Sequence, residues 1–306
     1  MLKRKLLRSG LFGNVLLLIV AVINTASTQP GFGADHAIND SAMHCLHFDP
    51  VLLQLSGNTE MDALNAPVIS LNKQAVKFVD AYIAENSSML QQIKEKNPRY
   101  FDIMDSVFTR YKLPIQLKYL AIVESELKTK AVSCVGAVGV WQFMPETARI
   151  FSLRVTTKYD ERTHFYKSTV AAARYLRDLH TLFDDWLLVM AAYNVGPGPV
   201  YAAIKKSGSR NFWKLQYFLP AETRDHVKKF IGTHYYFEGR GSVTTLTKEE
   251  RKTYTKLMLA FVEKQNMLLK ENNDARTATN INGQPGNEKE IVLAARIGEL
   301  KRNEQE

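Results

Sequence analysis

The chain has 306 residues, 45% of them hydrophobic, enough for one sizeable core once the ends are set aside. Its net charge is +9, but 40 basic residues are interspersed with 31 acidic ones, and no basic stripe of the kind that tracks nucleic acid stands out. Two cysteines, Cys45 and Cys134, and no HExxH helix motif imply neither a metal site nor an organic cofactor.

Residues 1–8 are basic and lead into an apolar run over 11–23, interrupted by Asn14 and followed by small polar residues. This predicts a signal peptide over 1–28, since a membrane-spanning helix needs about 20 apolar residues. Cleavage after Ala26 or Ser27, or near Ala34, stays open, and Cys45 does not sit where a lipoprotein cysteine would. Residues 29–68 read as irregular. Within them His44, Cys45 and His47 invite a metal reading, but their spacing matches no established zinc pattern. Cys45 and Cys134 could pair in an oxidising compartment or stay as two buried thiols.

A helix over 73–93 is predicted to turn Val76, Val79, Tyr82 and Ile83 inward. Asn97-Pro98 opens a second, with Phe101, Met104, Phe108 and Tyr111 as its stripe. Leu113-Pro114 opens a third, in which Leu117, Leu120, Ala121 and Glu124 fall at i, i+3, i+4 and i+7. Glu124 therefore shares the buried face near the helix C-terminus, where desolvation and the negative end of the dipole both disfavour its ionised form. Glu126, about 200° further round, should face away as a solvated charge. A glycine-punctuated loop follows, with Ser133, Gly136, Gly139, Trp141, Gln142, Met144 and Pro145, and an irregular hairpin within 131–143 is its only strand signal. Phe143 reads as core, and Trp141 as either core or a stacking surface. Further helices are predicted to open at Pro145, Ser168, Asp185 and Pro199. Tyr193-Asn194 closes one of them before a Gly/Pro turn, and Leu219-Pro220-Ala221-Glu222-Thr223 starts another. Beyond residue 241, Tyr254, Leu257, Met258, Phe261 and Leu268 sketch an amphipathic helix, and 272–289 reads as a polar linker. The whole is an all-α pattern.

Glu124-Ser125, the run from Gly136 through Trp141-Gln142-Phe143-Met144-Pro145, the Ala191-Ala192-Tyr193-Asn194 segment and the Leu219-Pro220 to Thr223 segment stand in an order that resembles the family 1 lytic transglycosylases of glycoside hydrolase family 23. Among these the likeness is greatest to the membrane-bound lytic murein transglycosylase D group. The resemblance covers about residues 69–238 and implies a goose-lysozyme-like SLT domain over 69–240, with a charged tail over 241–306. It implies Glu124 as sole acid and base, with Ser125, Ser133, Gln142, Met144, Tyr193, Asn194 and Glu222 lining a sugar groove. Glu222 would orient Tyr193 or bind substrate, or serve only as a charge at a helix start. The reaction implied is non-hydrolytic cleavage of the bond between N-acetylmuramic acid and N-acetylglucosamine, leaving a 1,6-anhydro end. An ordinary glycosidase needs a second carboxylate about 5 to 9.5 Å away.

Departures from the family pattern are Val140 for Leu, Val195 for Ala, and His226 where Tyr is common. His226 reads as a surface histidine or as a hydrogen-bonding partner of the glycan. A muramidase on the same fold, or a non-catalytic wall-binding scaffold, is the alternative. The partner implied is peptidoglycan, the place an exported, periplasmic one, and any contact with membrane or wall peripheral, driven by diffuse charge.

Overall fold

A computed structural model of the chain describes residues 66–279. They form ten helices: α1 (Lys73–Lys96), α2 (Pro98–Arg110), α3 (Tyr119–Ser125), α4 (Pro145–Ile150), α5 (Phe165–Phe183), α6 (Trp186–Val195), α7 (Pro197–Ser207), α8 (Phe212–Leu215), α9 (Ala221–Glu238) and α10 (Lys248–Thr279). Short 3-10 turns lie at Ile115–Lys118, Glu161–Thr163, Gln216–Phe218 and Val243–Thr245. Extended pairing among the described residues is limited to isolated bridges, Val132 with Val138, Val138 with Phe143, and Val155 with Asp160. The all-α expectation holds, and the two bridges within 131–143 are the small hairpin expected there.

The packing is organised around α6. Every residue from Trp186 to Ala192 is buried, and a helix apolar all round must be enclosed on all sides. Helices α5, α7 and α9 and the Val243–Thr245 turn supply those sides. Burying Leu187, Leu188 and Met190 stabilises the fold by about 1.5–3 kcal/mol each. The polar start of this helix is satisfied by Asp185, which is itself only 3% exposed. One of its carboxyl oxygens accepts from the N–H groups of Leu187 (3.0 Å) and Leu188 (3.1 Å), and the other from Lys248 N–H at 2.6 Å. Burial pushes this carboxyl up to about 7 against the pull of those donors. A single side chain thus caps α6 and ties down the first turn of α10. There Thr247 and Glu250 complete a reciprocal cap: Thr247 N–H donates to Glu250 Oε2 at 2.8 Å, and Glu250 N–H donates to Thr247 Oγ1 at 3.2 Å.

Helix α9 runs along α1. A Cβ at Gly232 would lie 2.7 Å from Tyr82 Cδ1, so the glycine lets the tyrosine ring lie on the α9 backbone. The Tyr82 hydroxyl then pairs with Thr233 Oγ1 at 3.0 Å. This contact locks α9 onto α1.

Several expectations change. Val76 is exposed, and the inward face of α1 is Ala75, Val79, Tyr82, Leu90 and Ile93, because the stripe drifts with the true helical period. Pro114 opens a 3-10 turn before α3 rather than an α-helix, a tightening common at helix starts. Ser168 lies inside α5, which His164 caps, and α7 starts at Pro197, not Pro199. Trp141 and Phe143 are both core. Packing continues past residue 240, since Val243, Thr244, Thr245 and Thr247 are buried. Residues 272–279 belong to α10 and not to a linker. Along α10, Met258 is buried as expected, but Leu257 and Leu268 face outward. Cys134 is exposed, not buried. The signal-peptide reading, the His44, Cys45 and His47 group and the remainder of the polar linker lie outside the described residues.

Asp185→Ala removes a cap worth ~1 kcal/mol and strands a buried N–H at a further ~1–3 kcal/mol. Urea unfolding should show a loss of about 2–4 kcal/mol, smaller for Asp185→Asn, and a loss under ~1 kcal/mol would contradict the double-cap reading.

Candidate active site

Glu124 sits in the last turn of α3. The helix stops at Ser125 because Glu126 and Leu127 both adopt left-handed backbone conformations, at φ 54° and 62°. Non-glycine residues enter that region at a cost on the order of 1 kcal/mol each, and here the two turn the chain sharply away while Glu126 points to solvent and pairs with Lys128 at 2.7 Å. Glu124 stays inside, its side chain only 13% exposed. One carboxyl oxygen lies 2.8 Å from Nε2 of His226, which reaches in from α9 with a side chain 8% exposed. The surface-histidine reading of His226 is therefore corrected: it falls on the buried stripe of α9 with Thr223, Val227, Phe230 and His234.

The loop over 131–143 is folded by its own backbone and held from outside by one arginine. Val138 and Phe143 exchange hydrogen bonds at 3.1 and 3.2 Å, and Gly139 N–H donates to Ala131 O at 2.9 Å. Arg162 is buried and donates from Nη1 to the carbonyls of Gly136 (3.0 Å) and Phe143 (2.9 Å). Its other nitrogens grip Asp160, whose carboxyl that contact holds below the usual range. Gly139 is required at its position, since at φ 86° a Cβ there would come within 2.0 Å of the Arg162 carbonyl oxygen.

Helix α6 ends against this loop. The Tyr193 hydroxyl donates to Trp141 O at 2.8 Å. Burial, then the nearby charge of Glu124, hold this phenol well above its ordinary range, so it acts as a neutral donor. Next to it, Asn194 Oδ1 accepts from the Thr223 hydroxyl at 2.8 Å. Ser125 Oγ donates to Val140 O at 2.8 Å. These contacts close a circuit from α3 through Ser125 to the loop, through Tyr193 to α6, through Asn194 and Thr223 to α9, and through His226 back to Glu124.

Residues 109–216 match the family model described as the transglycosylase SLT domain. This segment is thus similar to the SLT family. Over 151 residues the chain is 37% identical to the membrane-bound lytic murein transglycosylase D of Escherichia coli strain K12, covering 48% of this chain and 33% of that protein. The protein of the same name from Escherichia coli O6:H1 gives the same figures. The chain thus spans about a third of the length of these curated relatives. Among solved structures, the lytic transglycosylase Slt of Pseudomonas aeruginosa is 24% identical over 46% of this chain and 25% of its own, with a TM-score of 0.41. The 70 kDa soluble lytic transglycosylase of Escherichia coli is 27% identical over 47% and 26%, with a TM-score of 0.40.

The structure distributes the expected groove residues into two kinds. Ser125 and Tyr193 spend their hydroxyl protons on loop carbonyls. Ser133 accepts from Ala137 N–H at 2.9 Å, Gln142 Nε2 donates to Gly139 O at 2.8 Å, and Asn194 uses only its carbonyl oxygen. Each of these three keeps further hydrogen-bonding capacity. Met144 is 38% exposed at the loop end. Glu222 is exposed in the first turn of α9, and the Tyr193 hydroxyl donates to Trp141 O rather than to it. Thr223 and the Asp160–Arg162 pair were not anticipated as site residues, nor was the bond of His226 to Glu124, and α9 lies beyond the segment that matches the SLT family model. No cluster of ligating side chains that could hold a metal occurs among the described residues.

Gly139→Ala should open the loop, lowering stability by at least ~2 kcal/mol through the clash and the left-handed backbone together. Thermal unfolding should register this, and an unchanged melting temperature would contradict the close approach of Arg162.

Proposed function

We propose that the chain is a peptidoglycan lytic transglycosylase that cleaves the β-1,4 bond between N-acetylmuramic acid and N-acetylglucosamine with Glu124 as its single acid and base. The observation that carries the reading is a shielded glutamate at a helix end, enclosed by the polar loop of an SLT domain whose curated relatives are named lytic murein transglycosylases.

The carboxyl proton of Glu124 passes to the glycosidic oxygen as the bond to muramoyl C1 breaks, which makes the leaving sugar a neutral alcohol. The carboxylate left behind takes the proton of the muramoyl C6 hydroxyl, whose oxygen closes on C1. The atoms balance without an external water, and Glu124 ends protonated again. Supporting a one-carboxylate mechanism, Glu126 is turned out and paired with Lys128, and Glu222 stands exposed outside the hydrogen-bonded circuit. Ser133, Gln142 and Asn194, with capacity to spare, and the exposed Met144 thioether offer polar and apolar contacts suited to N-acetylated sugars. Glu222, exposed in the first turn of α9, would accept from a sugar hydroxyl.

The envelope is the place this reading requires, consistent with the signal peptide expected over 1–28 and with relatives named as membrane-bound. No helix among the described residues is long and apolar enough to cross a membrane. The substrate is the partner proposed, and no cofactor enters the chemistry.

Digestion of purified murein by the chain should release muropeptides ending in 1,6-anhydro-muramic acid, lighter by one water than muramidase products on mass spectrometry. Glu124→Gln should cut release at least ~10²-fold while the protein still binds murein. Persistent turnover in that variant would remove Glu124 from its role.

A further inference from the structure

The contact between Glu124 and His226 joins α3 to a helix outside the matched SLT segment, and it is built as an enclosed pair. The two side chains meet at 2.8 Å, 102 residues apart in sequence, and each is almost wholly covered. His226 Nδ1 is buried and has no hydrogen-bond partner. That orphan nitrogen decides which way the pair is wired. A neutral imidazole carries one N–H. If the hydrogen were on Nδ1, a buried donor would be left unmade, and Nε2 would draw the Glu124 proton toward α9, away from any sugar. An imidazolium would strand the same N–H and add a buried charge. With the hydrogen on Nε2, the ring donates to one Glu124 oxygen and leaves only a lone pair unused.

Resting on the transglycosylase reading above, we propose that His226 is a positioning residue for Glu124: its Nε2–H holds one carboxyl oxygen and reserves the other for proton exchange with the sugar. Both proton transfers of the reaction then use a single oxygen. The bond also fixes the carboxyl plane through both proton transfers. Tyr193, on the adjoining helix end, directs its own hydroxyl to Trp141 and so leaves His226 as the group bonded to the glutamate. Thr223, one turn earlier on α9, is bonded to Asn194, which sets the depth at which His226 enters.

Three measurements test this together: turnover of soluble murein glycan strands by the wild type, His226→Gln and His226→Phe; thermal melts of all three; and the 15N spectrum of histidine-labelled wild type. Gln places an N–H donor near the position of Nε2, whereas Phe fills the ring volume without one. His226→Phe should lose ~10-fold or more in kcat with KM changed less than ~3-fold, and His226→Gln should recover to within ~3-fold of wild type. The nitrogen spectrum should show His226 protonated on Nε2 and bare on Nδ1, a result that does not depend on any variant folding. Equal kcat in the wild type and the folded Phe variant, equal losses in Phe and Gln, or a proton on Nδ1 would overturn the assignment. Absence of anhydro products from the wild type would instead overturn the transglycosylase reading, and the two failures are thereby separate.

Discussion

Four side-chain hydrogen bonds hold three helix ends and one loop in register, and the site exists only while they do. Ser125 to Val140, Tyr193 to Trp141, Thr223 to Asn194 and the His226–Glu124 pair form a closed loop of contacts between segments that lie 15 to 102 residues apart in the chain. At a net ~0.5–1.5 kcal/mol each, such bonds cannot be what folds the protein. The burial of α6 against α5, α7 and α9 contributes several times more. What the circuit supplies is geometry, since each bond has one short distance and a direction, whereas apolar packing tolerates small shifts.

The placement of these groups follows from helix anatomy. Glu124 is in the last turn of α3, Tyr193 and Asn194 are in the last turn of α6, and Thr223 and His226 are in the first two turns of α9. Side chains at helix ends project beyond the packed cylinder, so three ends converging on one loop can face a common space while the helix bodies stay in the core. The loop that completes the arrangement is irregular, yet it is held by Arg162 from below and threaded through a glycine at which no side chain fits. Rigidity at a site made mostly of loop and helix ends thus comes from a buried guanidinium that answers carbonyls the hairpin cannot answer itself.

Much of this was legible in the sequence. The i, i+3, i+4, i+7 run from Leu117 to Glu124 correctly put an acid on a buried face, and the glycine pattern correctly marked a loop beside it. The same period rule applied to 223, 226, 227, 230 and 234 would have put His226 inside, but a single histidine reads as polar and the rule was not carried through it. Val76 misled because a stripe taken at threes drifts out of a helix of 3.6 residues per turn. The partnership of Arg162 with the loop was not readable at all, since it depends on how a 3-10 turn folds back on two carbonyls 19 and 26 residues upstream. Trp141 was ambiguous for a different reason: an aromatic beside a ligand loop can face either way, and what decided it was the indole N–H finding Thr169 at 3.1 Å within the core.

The central claim is that one enclosed carboxyl moves both protons, one to the leaving glycosidic oxygen and one from the muramoyl C6 hydroxyl, and that water takes no part. Digestion of murein in 18O-labelled water tests it most directly, with the new muramoyl ends isolated and weighed. The account predicts anhydro ends free of label. Reducing ends carrying one 18O would show that water attacks C1, and the single-carboxylate cyclisation would have to be given up.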